Sequence, residues 1–292
     1  MNLNNNITII IILYNSSNLI FDCLKSLSNF KIIVVDNGKN FNVLSEIKKR
    51  KNIKVISKNK NLGFGNGVNF AFNEVQTEYF LLLNPDIVID EKSILLLLNT
   101  ALSYENCAIA APLNVPDKDS YGILPEKRNI YEKNKLYFKD NIKKNFTPVG
   151  EICVDVSKGC ALLIKSKYFY EVNLFSKKYF LFWEEIDLCR KFRSKKLSVI
   201  VTPKSSVEHK QEKSSDSDFQ NFLIKTYYHE YSPLVYFNVQ KFSLFYLKRM
   251  MKYMFRGISY LMILNFKKSL VYFLRLGASV IYFINLKFSS KK

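Results

Sequence analysis

The alternation of strand-like and helix-like segments over residues 1–112 is the feature that most restricts how this chain folds. Residues 7–13 form a β-branched run suited to a strand buried on both faces. Asn15 and the two serines after it read as a helix cap, and Leu19, Cys23, Leu24 and Leu27 then share one helical stripe. Residues 31–35 read as a second buried strand ending at the turn signature Asp36-Asn37-Gly38, residues 43–51 as a helix, and residues 53–57 as a third strand. The glycine-rich stretch Gly63 to Gly67 opens a helix expected to reach residue 75, residues 79–83 make a fourth strand, and residues 93–104 another helix. This order predicts an α/β, Rossmann-like fold with a mostly parallel central sheet flanked by helices.

Beyond residue 112 the rhythm loosens. Residues 116–148 are polar, charged and rich in Asn and Lys, and are expected to form a loop or lid. Residues 153–157 and 161–164 resume strand character, 184–193 read as a helix, and 198–201 as a late strand. The expected organisation is a domain over residues 1–218 followed by a basic, amphipathic helical region over 219–292.

Charge separates the two parts. The chain carries a formal +19, and residues 219–292 hold twelve Lys or Arg against one acid, Glu230, so this tail supplies +11 of it. Its aromatic and aliphatic residues are interleaved with the basic ones. A membrane-spanning helix needs about 20 apolar residues, and a central arginine such as Arg275 costs roughly 2.5–3.5 kcal/mol on insertion scales. Helices lying in the interface of an anionic membrane fit this composition better than a span. The alternative is a helical subdomain with a solvated basic face. Nucleic acid is not an expected partner, because no binding module is present in the pattern. The five cysteines have no C-x-x-C pair or zinc spacing and read as reduced, mostly buried thiols of a cytosolic protein. The apolar run near the N-terminus lacks a basic flank and a cleavage site, so it reads as a strand and not as a signal peptide.

Several residues could carry chemistry. The apolar run from Phe80 stops at Asn84-Pro85-Asp86, because proline cannot donate to a sheet ladder. That delivers the Asp86 carboxylate to the carboxyl edge of the sheet, where ligands bind in open α/β folds. It is either a turn residue or a ligand for a hard cation. Asp36 likewise is either part of its turn or an acceptor for a base or ribose. The stretch from Asn61 through Gly63 to Gly67 would let a substrate approach the backbone closely, but matches no phosphate-loop fingerprint. Trp183, the only tryptophan, precedes Glu184, Glu185 and Asp187. These acids either complement the start of a helix or include a general base. His209, expected after a strand and Pro203, is either structural or a nitrogen ligand to the cation at Asp86.

Seven segments in this order, around Tyr14 and Asn15, Asp36, Asn61 to Gly65, Asn84 to Asp86, residues 156–164, residues 180–190 and His209, resemble the family 2 glycosyltransferases. Within them the chain is most similar to the rhamnosyltransferase-like branch of surface-polysaccharide synthesis, and its basic tail looks like the membrane-associating ends of that branch. The resemblance spans residues 7–210 and implies a GT-A fold, a nucleotide-sugar donor, a divalent cation (Mg²⁺ or Mn²⁺) and inversion at the anomeric carbon.

Carried over to this chain, the resemblance implies that Asp36 contacts the nucleotide base in a pocket lined by Tyr14 and Asn15. Asn61, Gly63 and Asn84 would border the same nucleotide site. Asp86 would be the metal-binding acid of a D-x-D position in which Asn84 replaces the first acid, and His209 a late metal ligand. The base falls at Glu185, where the family usually has aspartate. Glutamate moves the carboxylate by more than an ångström, so either the pocket compensates, Asp187 takes the role, or activity is reduced. Trp183 and Glu184 would line the acceptor and sugar pocket. The expected enzyme transfers a sugar from dTDP-rhamnose or a UDP-hexose to a lipid-linked or polymeric glycan at the cytoplasmic face of a bacterial membrane, with a homodimer left open. A galactofuranosyl- or other hexosyltransferase of the same fold is the nearest alternative. A catalytically weak nucleotide-binding scaffold is the alternative from another class.

Overall fold

Strand β1 (Ile7–Leu13) is buried at all seven positions, as its unbroken aliphatic run requires. It lies between β2 (Lys31–Asp36) and β4 (Tyr79–Leu83), both parallel to it, with Ile9 opposite Ile32 on one side and Leu81 on the other. A third parallel strand, β3 (Ile53–Ser57), extends the sheet beyond β2. The connecting helices are α1 (Leu19–Leu24), α2 (Phe41–Ile47) and α3 (Phe64–Phe72). The computed structural model describes residues 6–15, 19–38, 40–115, 121–122, 124–125, 148–209, 219–240 and 243–289.

Strand alternation divides β1 between two cores. Ile7, Ile9, Ile11 and Leu13 join Leu24, Leu97 and Leu98 on one face. Ile12 lies on the other face, where a methyl added to Gly67 of α3 would come within 3.3 Å of its Cδ1. Each buried aliphatic side chain contributes about 1.5–3 kcal/mol. On the α3 side Phe72, Phe80, Phe169 and Phe175 form an edge-to-face cluster with centroids 4.9–5.4 Å apart.

Past β4 the sheet becomes mixed. Strand β10 (Ala161–Lys165) runs antiparallel to β4 and to β6 (Cys107–Val115), while β11 (Ser198–His209) runs parallel to β6. Two short strands, β5 (Ile87–Val88) and β8 (Ile152–Val154), pair antiparallel with β11. The order is β3-β2-β1-β4-β10-β6-β11-β5 among the described residues, with β7 (Tyr121–Gly122) and β9 (Val156–Ser157) forming a separate ribbon. Helix α4 (Glu91–Ser103) is capped by Asp90, whose side chain accepts the Ser93 N–H. The remaining helices of this part are α5 (Ser166–Glu171) and α6 (Glu184–Ser194). Strand order reverses between β1 and β4, which marks the carboxyl-end crevice there as the ligand-binding position of such a sheet.

The α/β, GT-A-like plan expected from the sequence is present, with several differences, among them an unexpected α5 and an α2 that ends at Ile47, short of residue 51. Strand β6 occupies a segment for which no strand is expected. Strand β11 continues well past residue 201, so His209 ends the strand instead of following it. Pro203 is tolerated because the ladder with β6 is irregular between Thr202 and Ser206. Helix α3 stops at Phe72, short of residue 75. Within the 116–148 segment Tyr121 and Gly122 pair with Ser157 and Val156; most of that expected loop lies outside the described residues.

The chain divides into two compact units, Met1–Lys177 with Glu184–Asp216, and Lys178–Trp183 with Ser217–Lys292. The second holds α7 (Phe219–Tyr236), α8 (Leu244–Met262) and α9 (Phe266–Ser289). Its apolar core centres on Leu234, Tyr246 and Tyr282. Beside it lies a polar knot. Glu230 accepts from Arg249 and from the Tyr253 hydroxyl, both at 2.8 Å, and from Ser279 Oγ at 3.2 Å. The one acid of the tail is therefore buried and consumed internally.

Candidate active site

The carboxyl edge of the parallel strands gathers most of the expected residues. Asp36 ends β2, and its Oδ1 accepts from the Gly38 N–H at 3.2 Å and from Asn40 Nδ2 at 2.6 Å. The turn and a possible ligand role thus share one carboxylate, held in a fixed orientation. Tyr14 and Asn15 follow β1 directly, and Asn15 adopts φ 45°. Gly38 packs so closely against them that an added methyl would sit 2.7 Å from Asn15 Oδ1 and 3.2 Å from Tyr14 Cδ2. Asn37 ties the edge together: its amide donates to Gly63 O at 2.8 Å and accepts from the Leu62 N–H at 3.3 Å. Sequence reading treated Asn37 and Gly38 only as turn residues. Their buried, bridging positions depend on chain segments some 25 residues away, which no local pattern reports.

Asn61 accepts the Gly63 N–H at 2.9 Å, closing the loop that enters α3. Gly63 has φ 79° and ψ −180°, a backbone region essentially reserved for glycine. Asn84 donates its N–H to Cys160 O at 2.9 Å, fastening the end of β4 to the start of β10. Asp86 follows at 3% exposure, close enough to Cys23 and Cys160 for its charge to act on both thiols. Burial, with that charge added, pushes the Cys23 thiol up to about 12. Burial likewise raises Cys160 to about 11.

Across the β5–β11 ladder the backbone of His209 lies opposite Ile87, the residue after Asp86. The His209 side chain lies outside the described residues. Among the described residues no three His, Cys, Asp or Glu side chains converge on a metal position. The backbone register nevertheless brings a hard oxygen donor and an imidazole-bearing residue to the same corner of the sheet, a donor pair that fits a divalent cation.

Helix α6 opens with Glu184, Glu185 and Asp187, an acidic first turn favoured by the helix dipole. Glu184 packs toward α3, where a methyl on Gly65 would lie 3.4 Å from its Cβ. Glu185 packs against Gly159, whose added methyl would meet Glu185 Cβ, Cγ and Cδ at 3.4–3.7 Å. Glu184 Oε2 and Glu185 Oε2 are both buried without a hydrogen-bond partner among the described residues. Burial raises both carboxyls, and the neighbouring Glu185 charge raises Glu184 further, well above the usual carboxylate value. Asp187 is buried and ion-paired with Arg190 on the same helix.

The segment leading into α6 belongs to the second unit. Phe180 stacks on Tyr228 at 4.8 Å and Phe182 on His229 at 4.0 Å. Ser232 Oγ donates to Leu181 O at 2.7 Å. Trp183 rests against Tyr236 and Phe237, with centroids 5.0 and 5.5 Å apart. Phe182 and Trp183 have φ 65° and 72°, left-handed values that bulky residues rarely adopt.

The family model for glycosyl transferase family 2 matches residues 8–168. No curated protein matches the chain. Among solved structures, GalNAc-T7 with UDP, GalNAc and Mn²⁺ is similar at TM-score 0.57 and 14% identity, over 78% of this chain and 50% of that one. The mannosyltransferase PcManGT from Pyrobaculum calidifontis, in complex with GDP-Man and Mn²⁺, is similar at TM-score 0.52 and 11% identity, over 77% of this chain and 61% of that one. The chain thus spans about half the length of the first and less than two thirds of the second; at these identities the likeness is one of fold.

Proposed function

The chain belongs to glycosyl transferase family 2, and from that premise we propose that it transfers a sugar with inversion from a nucleotide-sugar donor, dTDP-rhamnose or a UDP-hexose. The acceptor is a hydroxyl of a lipid-linked or polymeric glycan in bacterial surface-polysaccharide synthesis. The observation that carries the mechanism is the pair Glu184 and Glu185, adjacent carboxylates at the start of α6, each with a buried oxygen that has no hydrogen-bond partner among the described residues. Glu185 takes the proton from the acceptor oxygen as that oxygen bonds to the anomeric carbon. The bond from that carbon to the diphosphate breaks, and the nucleoside diphosphate leaves.

Asp36, steadied by Gly38 and Asn40, accepts from the nucleotide base beside Tyr14 and Asn15, with Asn61, Gly63 and Asn84 at the border of the pocket. Asp86 and His209 would hold a divalent cation, Mg²⁺ or Mn²⁺, which when bound offsets the charge developing on the departing diphosphate. The test is nucleoside diphosphate release from a panel containing dTDP-rhamnose, UDP-glucose, UDP-galactose and UDP-galactofuranose. Turnover of one donor with the product anomer inverted is expected; binding of UDP or dTDP with no turnover of any donor supports the scaffold instead.

We also assign the helical unit to an anionic membrane surface at the cytoplasmic face. On α8 an exposed apolar line (Leu244, Leu247, Met251, Phe255, Ile258 and Met262) runs beside a line of exposed bases, Lys248, Lys252 and Arg256. That is the pattern of an interfacial helix. Among the described residues one helix, Phe266–Phe288, is long and apolar enough to cross a membrane. Its Ser279 bonds to Glu230 and its Tyr282 donates to Val239 O, so it packs sideways within the helical unit, which suits lying at a surface. With each base near an anionic surface worth about 1 kcal/mol, replacing the three by Glu is expected to weaken partition on phosphatidylglycerol vesicles on the order of 100-fold. Co-sedimentation at rising salt reads this out, and equal recovery of both proteins would remove the assignment.

A further inference from the structure

We infer that the turn joining α8 to α9 is a wedge that enters the acyl boundary of the membrane, so that apolar insertion holds the helical unit as well as charge. This inference rests on the membrane reading above. Leu261, Met262, Ile263, Leu264 and Phe266 are all exposed, the last four by 63–79%, and they form a contiguous cap over the turn. Scattered apolar side chains on a surface need no explanation, whereas a contiguous apolar patch marks a contact. The backbone here is that of a helix stop in which glycine is the usual residue. Leu264 has φ 56°, its N–H donates to Leu261 O at 3.0 Å, and the Asn265 N–H donates to Tyr260 O at 2.8 Å. Leucine is strained in that region, and so exposed a side chain gains little from the protein interior in return. An apolar medium outside the chain supplies that return. The Ile263 N–H donates to Ser259 O at 3.3 Å, so the N–H groups of residues 263–265 are all bonded within the turn. Asn265 Oδ1 accepts the Lys268 N–H at 3.2 Å and so caps α9. Backbone satisfied in this way enters a water-free medium at less cost than an open loop.

Behind the cap the chemistry changes in the order met on leaving a bilayer. Tyr260 and Tyr272 stack with centroids 5.6 Å apart, Lys268 lies over the Tyr260 ring, and Arg256 lies over the Tyr272 ring. Tyrosines and cations set back from an apolar tip suit the headgroup layer. Arg256, Lys267 and Lys268 are exposed, and no acid follows Glu230 in the chain to oppose anionic headgroups. The two helices are also tied together close to the turn. Ser269 Oγ donates to Gly257 O at 2.8 Å, and a methyl added to Gly257 would sit 2.9 Å from the Phe273 ring.

The experiment uses the full chain and vesicles of phosphatidylglycerol and phosphatidylcholine. Leu264→Gly puts the favoured residue in the left-handed position, so the variant should melt no lower than wild type. Its vesicle partition should nevertheless fall at least about tenfold, the scale set by withdrawing one large aliphatic side chain from an apolar medium. The loss should persist in about 1 M salt, where charge is screened within about 3 Å. Depth is read from Ile263→Cys carrying an environment-sensitive fluorophore, in a Cys153→Ser background, since the other four cysteines are buried. Its emission should move to the blue on binding and be quenched by bromine on the lipid acyl chains. Unchanged partition of Leu264→Gly with an unquenched probe, while wild type still binds, overturns the wedge and leaves docking by charge standing. A wild type that binds no vesicle overturns both readings. A dimer that Leu264→Gly converts to monomer, with vesicle binding intact, also overturns the wedge, because the cap is then an interface between copies.

Discussion

Glu185→Gln is expected to lower kcat by about 10²–10⁴-fold, the usual contribution of a general base, while leaving nucleotide affinity within about twofold. Glutamine keeps the shape that fits against Gly159 and cannot take a proton. Stability should move the other way. Burial raises the Glu185 carboxyl in the folded protein, so its ionisation opposes folding. The sign follows from linkage: the penalty is absent below the ordinary carboxylate pKa of about 4.3 and appears as pH rises through the higher folded-state value. At pH 8 the Gln variant should melt no lower than wild type, and at pH 4 any advantage should vanish. In wild type the acidic limb of the pH–rate profile should lie above the ordinary carboxylate range. A Gln variant that is inactive and also melts several degrees lower at pH 8 would point to misfolding instead of a lost base.

Asp86→Ala is expected to reduce kcat by about 10²–10³-fold, the scale seen when one group that stabilises developing charge is removed. Activity alone would not separate this from damage to the sheet edge, so nucleotide binding supplies the second measurement. Wild type should bind UDP or dTDP more tightly with Mn²⁺ than with EDTA, whereas the variant should show no difference. Its affinity in EDTA should match wild type, because Tyr14, Asn15 and Asp36 reach the nucleotide from β1 and β2. Cation-dependent binding that survives the substitution would remove Asp86 from the metal role.

How much of this is legible in the sequence differs from one element to the next. The bounds of β1, β3 and β4 read directly, since runs of isoleucine, valine and leucine closed by polar or turn residues have few other uses. Strand β6 escapes notice because Cys107, three alanines and Pro112 carry little intrinsic strand preference. It forms because β10 and β11 supply partners on either side. The extent of β11 escapes for a related reason: Pro203 argues locally for an end, and only the irregular ladder with β6 carries the strand past it. The site residues are visible as types but not as roles. A line of acids before a helical run does not distinguish Glu184 from Glu185; their surroundings depend on which segments, Gly65 or Gly159, the fold brings against each. Nor could an aromatic run announce left-handed backbone at Phe182 and Trp183, since both residue types are poor choices for it.

The knot at Glu230 has a consequence for how the helical unit behaves in a cell. The only acid of residues 219–292 is sealed inside, bonded to Arg249, Tyr253 and Ser279. The charges left facing outward are lysines and arginines, which keep their protons throughout the physiological range. The surface is therefore a constant positive plate, indifferent to acidification. On the proposed docking to an anionic membrane, control over where it sits would come from the other side, through the amount of anionic lipid offered to it or the ionic strength between them.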